Sequence, residues 1–289
     1  MFTRRAFLAT ALASLPCILQ AGSPRFSKLP AAFTRLEGIN GGRLGVAVVD
    51  TATGERAAYR ADERFPMCST FKFLLASAVL QRVDRAQESL DRSVTIPARP
   101  LLANSPLTDP HADGAMTISD LCHAALTRSD NTAANLLLDT VGGPQGLTGF
   151  ARQIGDRVTR LDRMELALNE SADGDPRDTT SPAAMAGNLR AVLLGAVLTQ
   201  PSRNQLTGWM ESNVTGLDRL RRDLPADWRA ADKTGSNGTH TSNDIAILWP
   251  TGRQPVIVAA YITQCPGPED KRAAMLTEIG KLVRESIGF

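Results

Sequence analysis

The sequence predicts an α/β protein of the α+β kind, with an antiparallel sheet built from both ends of the chain, flanking helices and an all-helical domain. Apolar residues alternate near both ends of the chain, as they do in half-buried strands. Between the two ends, apolar residues recur at helical spacing. Because a sheet and a helical unit bury their apolar faces against each other, a cleft is expected between them.

Four segments near the chain ends alternate with a period of two and are bounded by turn residues. They are residues 44–49, 57–59, 244–249 and 256–263. A further strand is predicted at residues 227–231, shortly before Lys233. Residues 23–60 and 213–289 are therefore assigned to one α/β domain.

The middle of the chain, residues 61–212, is predicted to form the all-helical domain. Helical spacing is found at residues 71–83, 118–127, 132–140, 183–194 and 203–210, and again near the C-terminus at 268–287. Thr117 and Asp120 resemble a capping box at the start of one of these helices. Residues 160–180 lack periodicity and are predicted to form a long surface loop, and loops of this length are usually functional or disordered.

Composition and charge argue against several classes of partner. The 289 residues include 32 Lys and Arg and 30 Asp and Glu. They contain no run of basic residues of the kind that binds along a phosphate backbone, so a nucleic-acid partner is not expected. The three histidines are scattered and no His or Cys pair has zinc-site spacing, so neither a metal nor another cofactor is expected. Cys68, Cys122 and Cys265 lack short spacings and are predicted to be buried thiols.

The N-terminus has the pattern of an export signal. Arg4 and Arg5 directly precede an apolar run over residues 6–19, so residues 1–22 are predicted to be a signal peptide of the twin-arginine type. The alternative is a membrane anchor, but the run contains Pro16 and is shorter than the roughly 20 residues that a spanning helix needs. The mature chain is therefore expected in the periplasm or outside the cell, without stable membrane insertion. No heptad or extended apolar patch demands a partner, so a monomer is expected.

Ser69 and Lys72 form the first of three short motifs that carry chemistry. They lie three positions apart at the start of a predicted helix, where their side chains share a face. A serine hydroxyl is a weak nucleophile until a base takes its proton, and a lysine of lowered pKa is such a base. Taken alone, the pair also fits a capped helix start with a solvated lysine.

The other two motifs are polar segments farther along the chain. Ser129, Asp130 and Asn131 stand between two predicted helices, where a helix cap is the alternative interpretation. Lys233-Thr234-Gly235-Ser236 follows a predicted strand, and its lysine and hydroxyls suit a carboxylate while its glycine allows close approach of a ligand. An edge-strand lysine in a turn is the alternative there.

In this order the three motifs match the Ser-x-x-Lys, Ser-Asp-Asn and Lys-Thr-Gly set of class A β-lactamases and penicillin-binding proteins. Glu165-Leu166-Ala167-Leu168-Asn169, in the long predicted loop, resembles the Glu-x-x-Leu-Asn of the class A omega loop, here residues 160–178. Further similar segments are Asn104-Ser105-Pro106, Asp178-Thr179-Thr180 and Ser242-Asn243-Asp244-Ile245-Ala246. The chain therefore resembles the class A serine β-lactamases over essentially its whole length after the signal.

The resemblance implies hydrolysis of the β-lactam ring of penicillins and cephalosporins through an acyl-enzyme on Ser69, which confers antibiotic resistance. Either Lys72, or Glu165 acting through water, would take the Ser69 proton. Ser129 would pass a proton to the departing lactam nitrogen. Glu165, held near Asn169, would activate the water that hydrolyses the ester.

The resemblance also implies the substrate contacts. The backbone N–H groups of Ser69 and Ser236 would form the oxyanion hole. The remaining predicted contacts are Lys233, Thr234, Gly235 and Ser236 at the substrate carboxylate and Asn131 at the acylamino side chain. Many relatives add an arginine at the carboxylate, but this chain has Ser242 in that place. Arg219 is the candidate for the role, and a solvated surface arginine is the alternative.

Two other functions share the three motifs. A D-alanyl-D-alanine carboxypeptidase also forms a serine ester, and a non-hydrolysing β-lactam sensor domain stays acylated. The carboxypeptidase should lack the loop that carries Glu165 and Asn169. The sensor domain would need a membrane or signalling segment, and none is predicted after the N-terminus. A serine esterase would not require the Glu165 loop either.

Overall fold

The computed structural model describes residues 25–288 and confirms the predicted fold class. The helices are α1 Leu29–Asn40, α2 Phe71–Asp84, α3 Ile118–Thr127, α4 Asn131–Thr140, α5 Gly143–Gln153, α6 Pro182–Leu193, α7 Gln200–Glu211 and α8 Glu269–Ser286. The strands are β1 Arg43–Asp50, β2 Arg56–Tyr59, β3 Phe65–Pro66, β4 Ser93–Thr95, β5 Ala115–Thr117, β6 Thr179–Thr180, β7 Arg229–Ser236, β8 Ser242–Trp249 and β9 Val256–Thr263. The predicted export signal at residues 1–22 lies outside the described residues.

Five strands form one antiparallel sheet in the order β2-β1-β9-β8-β7. The two ends of the chain meet in its middle, where Arg43 of β1 pairs with Thr263 of β9 and Asp50 pairs with Val256. β7 is the edge strand, so one of its sides is free to face the residues that precede α2. This edge carries the Lys-Thr-Gly motif.

The sheet separates two apolar cores. On one face, residues such as Leu44 and Val258 pack with α1 and α8. On the other face, residues such as Ile245 and Ala259 pack with the helical layer. At the centre of that layer, every residue of α2 from Phe71 to Gln81 is buried. Because burial of each large apolar side chain contributes about 1.5–3 kcal/mol, the start of α2 is firmly positioned.

The observed elements differ from the prediction in a few places. β7 is one continuous strand that contains Lys233, whereas the predicted strand ended before it. Two two-stranded ladders, β3 with β6 and β4 with β5, lie within residues 61–212, which the sequence predicted as all-helical. Helices α1 and α5 were not predicted. The capping box of Thr117 and Asp120 is confirmed. The division into two domains stays a prediction.

The three cysteines in the described part of the chain are buried, as the sequence predicts. Cys68, Cys122 and Cys265 are free thiols. Burial raises the pKa of the Cys68 thiol to about 12, so it is protonated at neutral pH. Within residues 25–288, no helix combines the length and apolar character needed to cross a membrane.

Candidate active site

Ser69 lies in a tight helical turn, Cys68–Thr70, that leads directly into α2. Cys68 has a φ of +43°, a left-handed conformation that costs energy for a residue with a side chain and is typical of functional sites. Gly235 of β7 packs against this turn: a Cβ atom there would lie 2.7 Å from the Met67 carbonyl oxygen and 3.1 Å from the Ser69 nitrogen. Only glycine therefore lets the edge strand approach the serine so closely.

Lys72 follows one helical turn later and is fully buried. Its Nζ donates to Asn131 Oδ1 at 2.6 Å and to the Ser129 carbonyl oxygen at 2.8 Å, and it lies 3.0 Å from Glu165 Oε1. Burial lowers the pKa of Lys72, and the neighbouring Glu165 carboxylate opposes that shift. A buried amine held by a carboxylate is able to exchange protons with the groups around it.

The Ser129-Asp130-Asn131 segment connects α3 to α4 and serves two purposes. Asp130 is the N-cap of α4 and accepts from the Ala133 N–H at 2.9 Å. The interpretation of this residue as a helix cap is therefore confirmed. Ser129 has a φ of +57°, and its Oγ lies 3.4 Å from Lys72 Nζ and 3.3 Å from Lys233 Nζ. One hydroxyl therefore lies between two lysine amines.

Asp130 also holds the neighbouring loop, and its loss is expected to cost about 3 kcal/mol of unfolding free energy. Its buried carboxylate accepts from the N–H groups of Leu107 and Thr108, both at 2.9 Å, and from the Thr108 hydroxyl. In Asp130→Ala these buried donors lose their acceptor. Urea denaturation measures the effect, and Asp139→Ala, at an exposed position of the same helix, should stay within about 0.5 kcal/mol of the wild type. Equal stability of the two variants would contradict the assignment.

Lys233 projects from β7 and is fully buried. Its Nζ donates to the carbonyl oxygen of Thr234 at 2.9 Å as well as to Ser129 Oγ. Burial lowers the pKa of Lys233 to about 7, and the positive charge of Lys72 acts in the same direction. The Thr234 hydroxyl lies 2.5 Å from that of Thr215.

Arg219 lies behind the edge strand. It is buried, and its Nη1 donates to the carbonyl oxygens of Gly235 at 3.2 Å and Asn243 at 2.9 Å. Its Nη2 donates to Glu269 at 2.9 Å. The alternative of a solvated surface arginine is therefore wrong. The predicted contact of Arg219 with a substrate carboxylate stays a prediction.

Glu165 lies in the omega loop and is buried against the nucleophile. Ser69 Oγ donates to Glu165 Oε1 at 3.5 Å, and Asn169 Nδ2 donates to Glu165 Oε2 at 2.6 Å. Asn135 is a site residue that was not predicted. Its amide nitrogen donates to the Glu165 carbonyl oxygen and its amide oxygen accepts from the Glu165 N–H, both at 2.9 Å. Asn135 follows Asn131 by four positions on α4, so helical spacing could have identified it.

An ion pair closes the base of the omega loop. Arg163 Nε lies 2.6 Å from Asp178 Oδ2, and Asp178 Oδ1 accepts from the N–H groups of Asp162 at 2.8 Å and Arg163 at 3.0 Å. Asp178 is buried. The loop that carries Glu165 is therefore a fixed part of the site.

The structure brings most of the predicted site residues into one hydrogen-bonded network. Its members are Ser69, Lys72, Ser129, Asn131, Glu165, Asn169 and Lys233. Thr234, Gly235 and Ser236 follow on the adjacent edge strand. The network places a serine hydroxyl beside a carboxylate and two amines, which is an arrangement suited to nucleophilic catalysis with proton transfer.

Comparisons with a family model and with known proteins all indicate the same family. Residues 28–287 match the model of the Beta-lactamase enzyme family. The chain is 46% identical over 303 aligned positions to Beta-lactamase L2 of Stenotrophomonas maltophilia, and both chains are covered completely. It is 45% identical over 258 positions to the Carbapenem-hydrolyzing beta-lactamase KPC of Klebsiella oxytoca, which covers 89% of this chain and 88% of that protein.

Solved structures agree with these relatives. An "Ancestral (GNCA) Beta-lactamase class A" is 58% identical and superposes with a TM-score of 0.88, covering 89% of this chain and 99% of its own. A beta lactamase from Xanthomonas campestris pv. campestris is 49% identical, with a TM-score of 0.89 over 91% of this chain and 99% of its own. Both similarities extend over the sheet and the helical layer.

Proposed function

The chain belongs to the class A serine β-lactamase family and hydrolyses β-lactam antibiotics, and we propose that it opens the ring of penicillins and cephalosporins through an acyl-enzyme on Ser69. The observation that carries this mechanism is the position of Glu165, which contacts the nucleophile, Lys72 and Asn169 at once. A carboxylate in this place supports removal of the acyl group by water. The activity confers resistance on the cell that produces the protein.

In acylation, Ser69 Oγ attacks the lactam carbonyl carbon and its proton passes to the Lys72–Glu165 pair. The backbone N–H groups of Ser69 and Ser236 bind the oxyanion of the tetrahedral intermediate. The bond from the carbonyl carbon to the lactam nitrogen then breaks. Ser129, which lies between two amines, supplies the proton that this nitrogen takes up, and the Lys72 amine replaces it.

In deacylation, Glu165 takes a proton from a water molecule that attacks the ester carbon. Asn169 and Asn135 fix the carboxylate and the backbone of Glu165, so the base is preorganised. Collapse of the second tetrahedral intermediate breaks the ester bond, and Ser69 regains its proton. The product is the ring-opened acid.

The substrate carboxylate is proposed to bind beside Lys233, Thr234 and Ser236, with the acylamino group at Asn131. Arg219 adds positive charge from behind the strand, through its contact with the Gly235 carbonyl. Thr234 and Ser236 provide hydroxyl donors. The lysine provides most of the attraction for an anion at this edge of the sheet.

Because Lys233 has a pKa of about 7, binding of an anionic substrate should depend on pH. Lysine carries its charge below its pKa and loses it above. We therefore expect kcat/KM for benzylpenicillin to fall as the pH rises through about 7, mainly through KM. In Lys233→Arg the guanidinium keeps its charge, so the alkaline fall should disappear. A wild-type kcat/KM that stays constant up to pH 9 would contradict this role of Lys233.

Multiple turnover distinguishes this function from the alternatives. The purified mature chain should hydrolyse a chromogenic cephalosporin far beyond one equivalent of product. A single burst that leaves a stable adduct would instead support the carboxypeptidase or the sensor domain. Absence of both product and adduct would refute the proposal.

We also propose that residues 1–22 direct export through the twin-arginine route, which gives a periplasmic or secreted monomer. Arg4 and Arg5 before the apolar run support the route. Replacing both with lysine should retain the precursor in the cytoplasm, as cell fractionation and immunoblotting would show. Unchanged export of the double variant would refute the twin-arginine route. A dimer mass in light scattering would refute the monomeric state.

A further inference from the structure

Thr234, on the edge strand β7, is hydrogen-bonded to Thr215 in the loop that follows α7. Thr234 is buried, and its Oγ1 lies 2.5 Å from Thr215 Oγ1. Thr215 Oγ1 lies in turn 2.8 Å from Asn213 Oδ1. Asn213 is also buried, and its Nδ2 donates to Asp232 Oδ2 at 2.6 Å. These side chains form one chain of hydrogen bonds from Asp232 to the proposed carboxylate site at Thr234.

The Asp232 end of this chain is held firmly in place. Asp232 is fully buried, and its Oδ1 accepts from Arg221 Nη1 at 2.8 Å. Gly216, the residue after Thr215, packs on the same carboxylate: a Cβ atom there would lie 2.0 Å from Asp232 Oδ2. Only glycine therefore lets the loop approach β7 so closely. This packing keeps Thr215 within hydrogen-bonding distance of Thr234.

The orientation of the Asn213 amide follows from partners that have only one role. The Thr215 N–H is a donor, and it lies 3.0 Å from Asn213 Oδ1, so this atom is the amide oxygen. The Asp232 carbonyl oxygen is an acceptor, and it lies 3.3 Å from Asn213 Nδ2, so this atom is the amide nitrogen. Asn213 Oδ1 therefore accepts from the Thr215 hydroxyl and cannot donate to it.

The direction of the two hydroxyl groups follows in the same way. Asn213 Oδ1 carries no proton, so the proton in its contact with the Thr215 hydroxyl is that of Thr215. Thr215 has then used its only hydroxyl proton, so the proton between the two threonines is that of Thr234. In this state Thr234 has only lone pairs left for another partner. A carboxylate also offers only lone pairs, so the Thr234 hydroxyl cannot donate to it.

We propose that Thr215 is a positioning residue that directs the Thr234 hydroxyl away from the carboxylate site until an anionic substrate binds. Binding then reverses both hydroxyls: Thr234 donates to the substrate carboxylate, and Thr215 donates to Thr234. The hydrogen bond from the Thr215 hydroxyl to Asn213 is lost, although Asn213 Oδ1 keeps the Thr215 N–H. The lost bond weakens the binding of each substrate that carries the carboxylate. This inference rests on the proposed function, which places the carboxylate at Thr234.

Neutron diffraction from crystals of the ligand-free protein in heavy water tests the direction of the hydroxyls. We expect the Thr234 deuterium on the line to Thr215 Oγ1, and the Thr215 deuterium on the line to Asn213 Oδ1. A Thr234 deuterium that points away from Thr215 would overturn the proposal. This readout does not depend on any activity of the protein.

Kinetics test what the reversal does to substrate binding. Thr215→Val removes the hydroxyl and keeps the branched shape, so the Thr234 proton is free to donate. We expect kcat/KM for benzylpenicillin to rise about fivefold, the factor that one neutral hydrogen bond produces, through a lower KM and with kcat unchanged. The methyl ester of benzylpenicillin has no anion to turn the hydroxyl and should show no such rise. Thr215→Ser retains the hydroxyl and should behave as the wild type does with both compounds.

A purely structural role of Thr215 predicts a different result. Thr215→Val lacks a hydrogen bond to the buried Asn213 and should unfold at a lower temperature than the wild type, so a structural residue would lose stability and activity together. An unchanged or lower kcat/KM for benzylpenicillin, or an equal rise for the ester, would therefore overturn the proposal. Equal kinetics of Thr215→Ser and Thr215→Val would exclude the hydroxyl as the cause. A wild type that hydrolyses neither compound refutes the proposed function, and the neutron result still decides the direction of the hydroxyls.

Discussion

Replacing Ser69 with alanine is expected to abolish covalent labelling by penicillin and to lower kcat by at least about 10⁴-fold. The hydroxyl is the only group of the network that forms a bond to the substrate in the proposed mechanism, and its neighbours serve its protonation. The contact between Lys72 and Glu165 does not involve the Ser69 hydroxyl, so we expect it to persist in the variant. The variant should therefore fold and bind substrate without reacting.

Intact mass after incubation with benzylpenicillin measures this loss. Ser77→Ala is the matched control, since Ser77 is a buried serine of the same helix whose hydroxyl donates to the Phe73 carbonyl oxygen at 2.7 Å. The control should label and turn over as the wild type does. An adduct that persists in Ser69→Ala would remove the serine from its role.

Replacing Glu165 with glutamine is expected to separate the two halves of the reaction. Lys72 remains as a base, so the variant should still acylate and release about one equivalent of product. Without a carboxylate to activate water, steady-state turnover should fall by about 10³-fold, within the range of general-base contributions. The acyl-enzyme should then accumulate.

A stopped-flow trace with a chromogenic cephalosporin shows the burst and the slow phase directly. Glu170→Gln is the control, because Glu170 is exposed in the same loop and pairs with Arg163. It should keep rapid turnover. Normal turnover of Glu165→Gln would contradict the deacylation role, and loss of labelling would show that Glu165 is indispensable to acylation as well.

The elements that could be predicted from the sequence are those in which buried residues recur in a regular pattern or fill the whole element. β9 is buried along its whole length, and its observed bounds, Val256–Thr263, equal the predicted ones. α1 escaped prediction because Leu29 and Phe33 are its only buried residues, too few to give a helical period. The β3–β6 ladder pairs two residues with two, which is too short for alternation to be visible.

In the candidate site, contacts between residues close in sequence could be predicted, whereas contacts between distant segments could not. Ser69 and Lys72 could be paired from sequence because helical geometry fixes neighbours three positions apart. The contact of His240 with Ser171 could not, since it depends on how the omega loop folds back over the sheet edge. The burial of Arg219 behind Gly235 likewise follows from tertiary packing.

The central claim is an acyl-enzyme on Ser69 that Glu165 helps to hydrolyse. Its most direct test is to mix Glu165→Gln with benzylpenicillin, digest the trapped protein and locate the adduct by peptide mass spectrometry. We predict one adduct of the mass of intact penicillin, on the peptide that contains Ser69, while the wild type turns over without accumulating it. An adduct on another residue, or steady hydrolysis by the variant without any adduct, would contradict the claim.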